Sequence, residues 1–115
     1  MIKRNETYKL EIREKMRGGN GNVKIEHLFD YQNELKSAPR LVAKLTLEPG
    51  VSIGFHEHFG EEEIFYIING TAEFFDGKET HILKKGDSSL TSDAGHSLAN
   101  IGEDNLEVMA VILKF

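Results

Sequence analysis

Gly50-Val51-Ser52-Ile53-Gly54-Phe55-His56-Glu57-His58-Phe59-Gly60-Glu61-Glu62-Glu63-Ile64-Phe65-Tyr66-Ile67-Ile68-Asn69-Gly70 is the stretch on which the fold is decided. A run from Val51 to His58 is followed by Phe59-Gly60-Glu61, then by the apolar strand Ile64 to Ile68 and the turn Asn69-Gly70. Residues two apart on a strand point to the same face, so the imidazoles of His56 and His58 can converge on one ion. Glu63 opens the next strand after a short turn, at the right distance to fold back beside the pair across a hairpin. His96 opens a later strand and is placed to supply a fourth donor. With no cysteine in the chain, any metal must be held by nitrogen and oxygen. Neutral imidazole suits zinc, copper, iron and nickel, and the carboxylate widens the choice toward manganese. Three nitrogens and one oxygen leave open positions on an octahedral ion, where a substrate can bind.

Outward from this stretch the chain alternates apolar and polar residues between glycine-marked turns. Tyr8, Leu10 and Ile12 alternate with Lys9, Glu11 and Arg13, which predicts a first strand with one buried face. Gly18-Gly19-Asn20-Gly21 reads as a hairpin turn; no lysine–serine pair or helix follows to make it a phosphate cradle. Val23 to Phe29 alternates again, and Asp30 to Pro39 is expected to be a loop with one turn of helix. Leu41, Ala43, Leu45 and Leu47 share one parity before Pro49-Gly50 turns the chain. Beyond Gly70 come a strand from Thr71 to Phe75, a two-residue hairpin at Asp76-Gly77 and its partner at His81 to Leu83. Ser88 to Thr91, a loop at Ser92 to Gly95, His96 to Asn100 and the run Leu106 to Phe115 complete the pattern. Eleven glycines, two prolines and no long helical period describe an all-β sandwich or barrel.

A chain of 115 residues has room for one domain, 1–115, here read as N-terminal strands and loop over 1–40 and a barrel over 41–115. The apolar fraction of 39% supports a core without disulfides. A net charge of −5 supplies no basic stripe for phosphates, so nucleic acid and anionic membrane surfaces are poor partners. No apolar run approaches the ~20 residues of a membrane span, and Met1-Ile2-Lys3-Arg4-Asn5 leads into charged sequence, so a cytoplasmic protein is expected.

The spacing Gly50, five residues, His56, one residue, His58, four residues, Glu63, six residues, Gly70 resembles in full the first motif of the cupin superfamily. Gly86, His96 and Asn100 stand where the second motif has its glycine, histidine and asparagine. That motif departs from the family at Ser92-Asp93-Ala94-Gly95, where a proline and glycine are usual, and has nine rather than ten residues between Gly86 and His96. The resemblance implies a double-stranded β-helix, an antiparallel barrel, holding a divalent metal ion (manganese, iron, nickel or zinc) through His56, His58, Glu63 and His96. It also implies dioxygenase- or decarboxylase-like chemistry on a small oxygen-bearing compound such as a carboxylate, the oxalate-decarboxylase-like members included. A non-catalytic cupin that binds a small ligand is the alternative, and no catalytic residue is assigned.

Parity adds detail. Gly54 and Ser52 are expected to share the face of His56, Phe65 and Ile67 that of Glu63, and Leu98 that of His96, giving an apolar cavity around a charged centre. Ile64, Tyr66 and Ile68 make the opposite face apolar too, and a strand apolar on both faces must be covered on both. A homodimer packed sheet against sheet, with Tyr8 to Ile12 added at an edge, provides that cover. Phe74 and Phe75 are read as core or rim. Glu61 and Glu62 read as a solvated turn, with Glu62 a rival ligand only if the register slips by one. His27 and His81 read as surface or hydrogen-bonded histidines. Asn100 is expected to brace the barrel rather than touch substrate, and Arg40 is a lone cation bordering the cavity, able to receive a carboxylate or to stand at the surface.

Overall fold

In the computed structural model, which covers residues 1–115, eight strands form one rolled antiparallel sheet. They are β1 (Lys9–Glu14), β2 (Asn22–His27), β3 (Pro39–Leu47), β4 (Ser52–Asn69), β5 (Thr71–Phe75), β6 (Thr80–Lys84), β7 (Ser88–Asn100) and β8 (Leu106–Lys114). Their order in the sheet is β1-β2-β3-β8-β4-β7-β5-β6, and the architecture is the all-β double-stranded β-helix barrel. Alternation decides what is inside: Val23 and Ile25 on β2, Ala43, Leu45 and Leu47 on β3, and Leu106, Val108 and Ala110 on β8 are all buried. Phe65, Ile67 and Leu98 join them, as parity predicts, and Phe74 is buried while Phe75 lies at the rim.

Several local expectations are corrected. β4 does not fold back as a hairpin after His58. It is one 18-residue strand that pairs with β7 along its length, from Ser52 opposite Ala99 to Tyr66 opposite Ser88. The break read at Phe59-Gly60-Glu61 is a bulge within the strand, where Gly60 takes φ +69° and its N–H donates to Asp93 Oδ1 at 3.0 Å. Ser92 to Gly95 is likewise strand rather than loop, with Asp93 at φ 47°. A second irregularity between Ile53 and His56 switches the faces, so that Ile53, not Gly54 or Ser52, is the buried cavity residue upstream of the histidines. The β5–β6 connection is a four-residue turn, Asp76 to Glu79, because Asp76 Oδ1 accepts the N–H groups of Lys78 and Glu79 at 2.8 Å. Asp30 to Pro39 is, as expected, a loop with a single helical turn, closed by Glu34 N–H donating to the Asp30 carbonyl at 2.9 Å.

The largest departure is β1. Its expected buried face, Leu10 and Ile12, is 54% and 56% exposed, and the alternate residues Lys9, Glu11 and Arg13 face inward. Ile64 and Tyr66 on the outer face of β4 are exposed, with Leu90 of β7 beside Ile64 and Met109 of β8 beside Tyr66. Buried Asn100 braces the barrel: its amide donates to the carbonyls of Leu47 and Asp104 at 2.8 Å each, and its oxygen accepts Gly102 N–H at 2.9 Å.

Candidate metal centre

His56, His58, Glu63 and His96 come together where β4 and β7 pair, His56 directly opposite His96. Glu63 Oε1 lies 3.0 Å from both His58 Nε2 and His96 Nε2, and His96 Nε2 lies 3.2 Å from both His56 Nε2 and His58 Nε2. Four donor atoms thus face one point. His58, Glu63 and His96 are buried, and only His56 is partly open. Glu62 stays outside the group, on the opposite parity of β4.

The far side of each ring explains why the Nε2 atoms point inward. His56 Nδ1 donates to the Gly54 carbonyl at 2.8 Å, and His58 Nδ1 donates to Glu61 Oε1 at 2.7 Å. Neither partner has a proton to give, so each ring carries a hydrogen on Nδ1 and turns its Nε2 toward the shared point, where Glu63, with Glu61 behind, raises the pKa of His58 above its ordinary value. His96 Nδ1 is held by the hydroxyl of buried Thr91 at 2.8 Å, and its ring stacks on Phe65 at 5.0 Å with the edge of Phe74 beside it. Burial, the largest influence on His56, lowers its pKa to about 4, so its ring is neutral and ready to ligate near pH 7. For Glu63 burial acts upward, but hydrogen bonds from His58 and His96 outweigh it and hold the carboxyl below its ordinary value. The donor set fits a divalent cation: ligands about 2.1 Å from an ion and at right angles to each other are about 3.0 Å apart.

Glu61, expected to be solvated, is instead central. Its carboxylate accepts both Arg40 Nε at 2.7 Å and Arg40 Nη2 at 2.9 Å while it also receives His58. The Arg40 bonds are the main cause of its pKa falling to about 2. Arg40 does border the cavity, but its guanidinium is already taken, so it is not the free carboxylate receptor the sequence allowed. Neither Glu61 nor Thr91 carried a spacing signal, because their role depends on the bulge and on the β4–β7 register. His27 lines the cavity but bonds Glu11 at 2.8 Å, and exposed His81 bonds Asp76 at 2.9 Å; neither joins the cluster.

A cavity of about 260 Å³ opens above His56, His58 and Glu63. Its floor is apolar, with Ile53, Phe65, Leu41, Leu45 and Ile112, as expected. Its outer wall is not: Lys9, Glu11, Arg13, Arg17 and Arg40 line it.

A double-stranded β-helix with a buried three-histidine, one-glutamate cluster beneath a small cavity defines the class of small-molecule barrel proteins with a candidate metal centre. Residues 43–112 match the cupin domain family, and the chain belongs to it. It is 41% identical over 99 residues to an oxalate-binding protein of Thermotoga maritima, covering 85% of this chain and 81% of that one. The crystal structure of a predicted oxalate decarboxylase from Thermotoga maritima superposes with a TM-score of 0.93 at 38% identity, over 100% of both chains. A cupin 2 conserved barrel domain protein of Salinispora arenicola shares the fold at TM-score 0.76 and 19% identity, covering 99% of this chain and 88% of that one.

Proposed function

We propose that His56, His58, Glu63 and His96 hold one divalent metal ion, and that the cavity above it binds a small carboxylate such as oxalate. The observation that carries this reading is the convergence of four donor atoms, three of them imidazole nitrogens whose rings are fixed from behind by Gly54, Glu61 and Thr91, directly under a cavity of oxalate-accommodating size. A bound ion supplies positive charge to which carboxylate oxygens bind at positions the four side chains leave open. The protein's part is to hold three rings in the ligating orientation, to exclude water below with Phe65 and Ile112, and to keep the cavity mouth cationic. The oxalate-binding relative supports the same ligand class.

Binding is favoured over turnover by the carboxylates around the cavity. Glu11 is engaged by Arg13 and His27, Asp30 by Gln32 and Asn33, and Glu63 by the histidines, which leaves no free carboxylic acid to deliver a proton to a product. Decarboxylase- or dioxygenase-like turnover is the second reading, supported by the metal positions left open. The test is elemental analysis of tag-free protein and of His58→Ala and His96→Ala, followed by calorimetric titration of metal-loaded protein with oxalate and assay for carbon dioxide, formate and peroxide. Stoichiometric metal lost in both variants, with oxalate bound and no product formed, is the expected result. Wild-type protein that takes up no iron, manganese, nickel or zinc overturns it. The exposed outer face at Ile64, Tyr66 and Leu90 is, in the same reading, covered by a second copy of the chain; a monomer by light scattering at micromolar concentration refutes that part.

A further inference from the structure

Strand β1 wears its hydrophobic pattern inside out, and the cavity explains why. A slip of one residue against β2 would turn Leu10 and Ile12 inward, yet the register pairs Lys9 with His27 and Glu11 with Ile25 and sets the charged parity toward the cavity. A core would reject that face; a binding site for an ion does not. The charges of this wall sort themselves by partner. Glu11 accepts Arg13 Nη2 at 2.6 Å and bonds His27, Arg40 is forked onto Glu61, and Lys3 is paired with Glu34. Lys9 and Arg17 also line the cavity, and neither is in an ion pair; Asp30, already capped by Gln32 and Asn33, is the carboxylate within Coulomb reach of Lys9.

Arg17 is held there by the backbone. It lies in the short turn Met16–Gly18 with φ 55° and ψ 31°, a left-handed conformation uncommon for a residue with a side chain. The turn is clamped to β4 because Gly19 and Gly54 carry no side chain: a Cβ on Gly54 would fall on the Arg17 carbonyl oxygen, and one on Gly19 on the Ser52 carbonyl. Met16 packs against the core beside it. Backbone strain held in place by packing at the rim of a cavity is the pattern of a residue positioned for a ligand.

We propose that Lys9 and Arg17 receive the outward-facing negative charge of the ligand, so that the site selects small dianionic carboxylates over monoanions. This rests on the reading above, in which one end of the ligand lies against the histidine cluster; the other end then meets Lys9 of β1 and Arg17 of the turn that follows it. A chain of net charge −5 gathering five basic residues around one cavity, with two of them unpaired, is organised for a ligand carrying more than one negative charge.

Calorimetric titration of manganese-loaded protein with two dianions, oxalate and malonate, and two monoanions, glycolate and acetate, tests it. In the Lys9→Gln/Arg17→Gln double variant, dianion affinity is expected to fall about 10- to 100-fold, with monoanion affinity changed less than about threefold. Metal content by mass spectrometry and circular dichroism are expected to match wild type, and Lys9→Arg/Arg17→Lys to retain dianion binding. Equal dianion affinity in the double variant and wild type overturns this inference alone, as does an equal fall for glycolate and oxalate. A wild-type, metal-loaded protein that binds none of the four anions overturns the carboxylate reading itself, and the inference with it.

Discussion

Replacing Glu61 tests the architecture behind the histidine cluster without touching any of the four converging donors. Its carboxylate is a hinge between two partners: Arg40 forks onto it at 2.7 and 2.9 Å, and His58 Nδ1 donates to it at 2.7 Å. Side chains in that role fix ring orientation and tautomer, and their loss costs about 10- to 100-fold in metal affinity. Glu61→Gln keeps an oxygen that can accept the His58 hydrogen but gives up the charge that makes the bond strong, so the lower end is expected, about tenfold or about 1.4 kcal/mol. Glu61→Ala removes the acceptor, frees the ring to turn, and leaves His58 a buried, unpartnered N–H; about 100-fold is expected. Arg40→Met, which leaves the Glu61 to His58 contact in place, is expected to do less than either. Competition against a chromogenic chelator with zinc or manganese measures all three. A folded Glu61→Ala protein with wild-type metal affinity refutes the reasoning, since it would mean that the ring holds its orientation without its anchor.

Two further outcomes follow from the same structure. Glu61 has its pKa lowered to about 2 from an ordinary 4.5, chiefly by Arg40, so its contribution to stability is complete above about pH 4.5 and is lost as pH falls through 2. With solvent screening of the partly exposed pair, about 1–2 kcal/mol is expected, read as a wild-type melting temperature that approaches that of Glu61→Gln between pH 5 and 2; a constant gap over that range contradicts it. Gly54→Ala places a methyl group on the Arg17 carbonyl and must lever the Met16–Gly18 turn off β4, a loss of about 1–3 kcal/mol in denaturant unfolding, whereas unchanged stability would show that the clamp is not tight.

The barrel was legible because its strands alternate strictly where they are buried, as at Ala43, Leu45 and Leu47 or at Leu106, Val108 and Ala110. The convergence of His56, His58, Glu63 and His96 was legible because motif spacing fixes face and order. What the sequence hid depends on bulges, which add a residue without any compositional mark. The irregularity before His56 moved Ile53 into the cavity in place of Gly54, and the one at Gly60 kept Glu61 beside His58 rather than in solvent. β1 misled for a different reason: an alternating strand is assumed to bury its apolar side, and here the inner side faces a cavity lined with charge.

The position of β8 decides when the molecule can exist at all. Hydrogen-bonded to β3 on one side and to β4 on the other, it is an interior strand made from the latest of the eight segments. During synthesis at about 5–20 residues per second, all four cluster residues are out of the ribosomal active site one to four seconds before Lys114 is added. Until then β3 and β4 have no common neighbour, and β4 presents Phe65 and Ile67 on a strand with an unpaired edge, the kind of surface that pairs with other chains. A nascent chain halted before Leu106 would therefore carry every candidate ligand and still have no cavity, and strand invasion or chaperone capture is the fate its exposed edge invites.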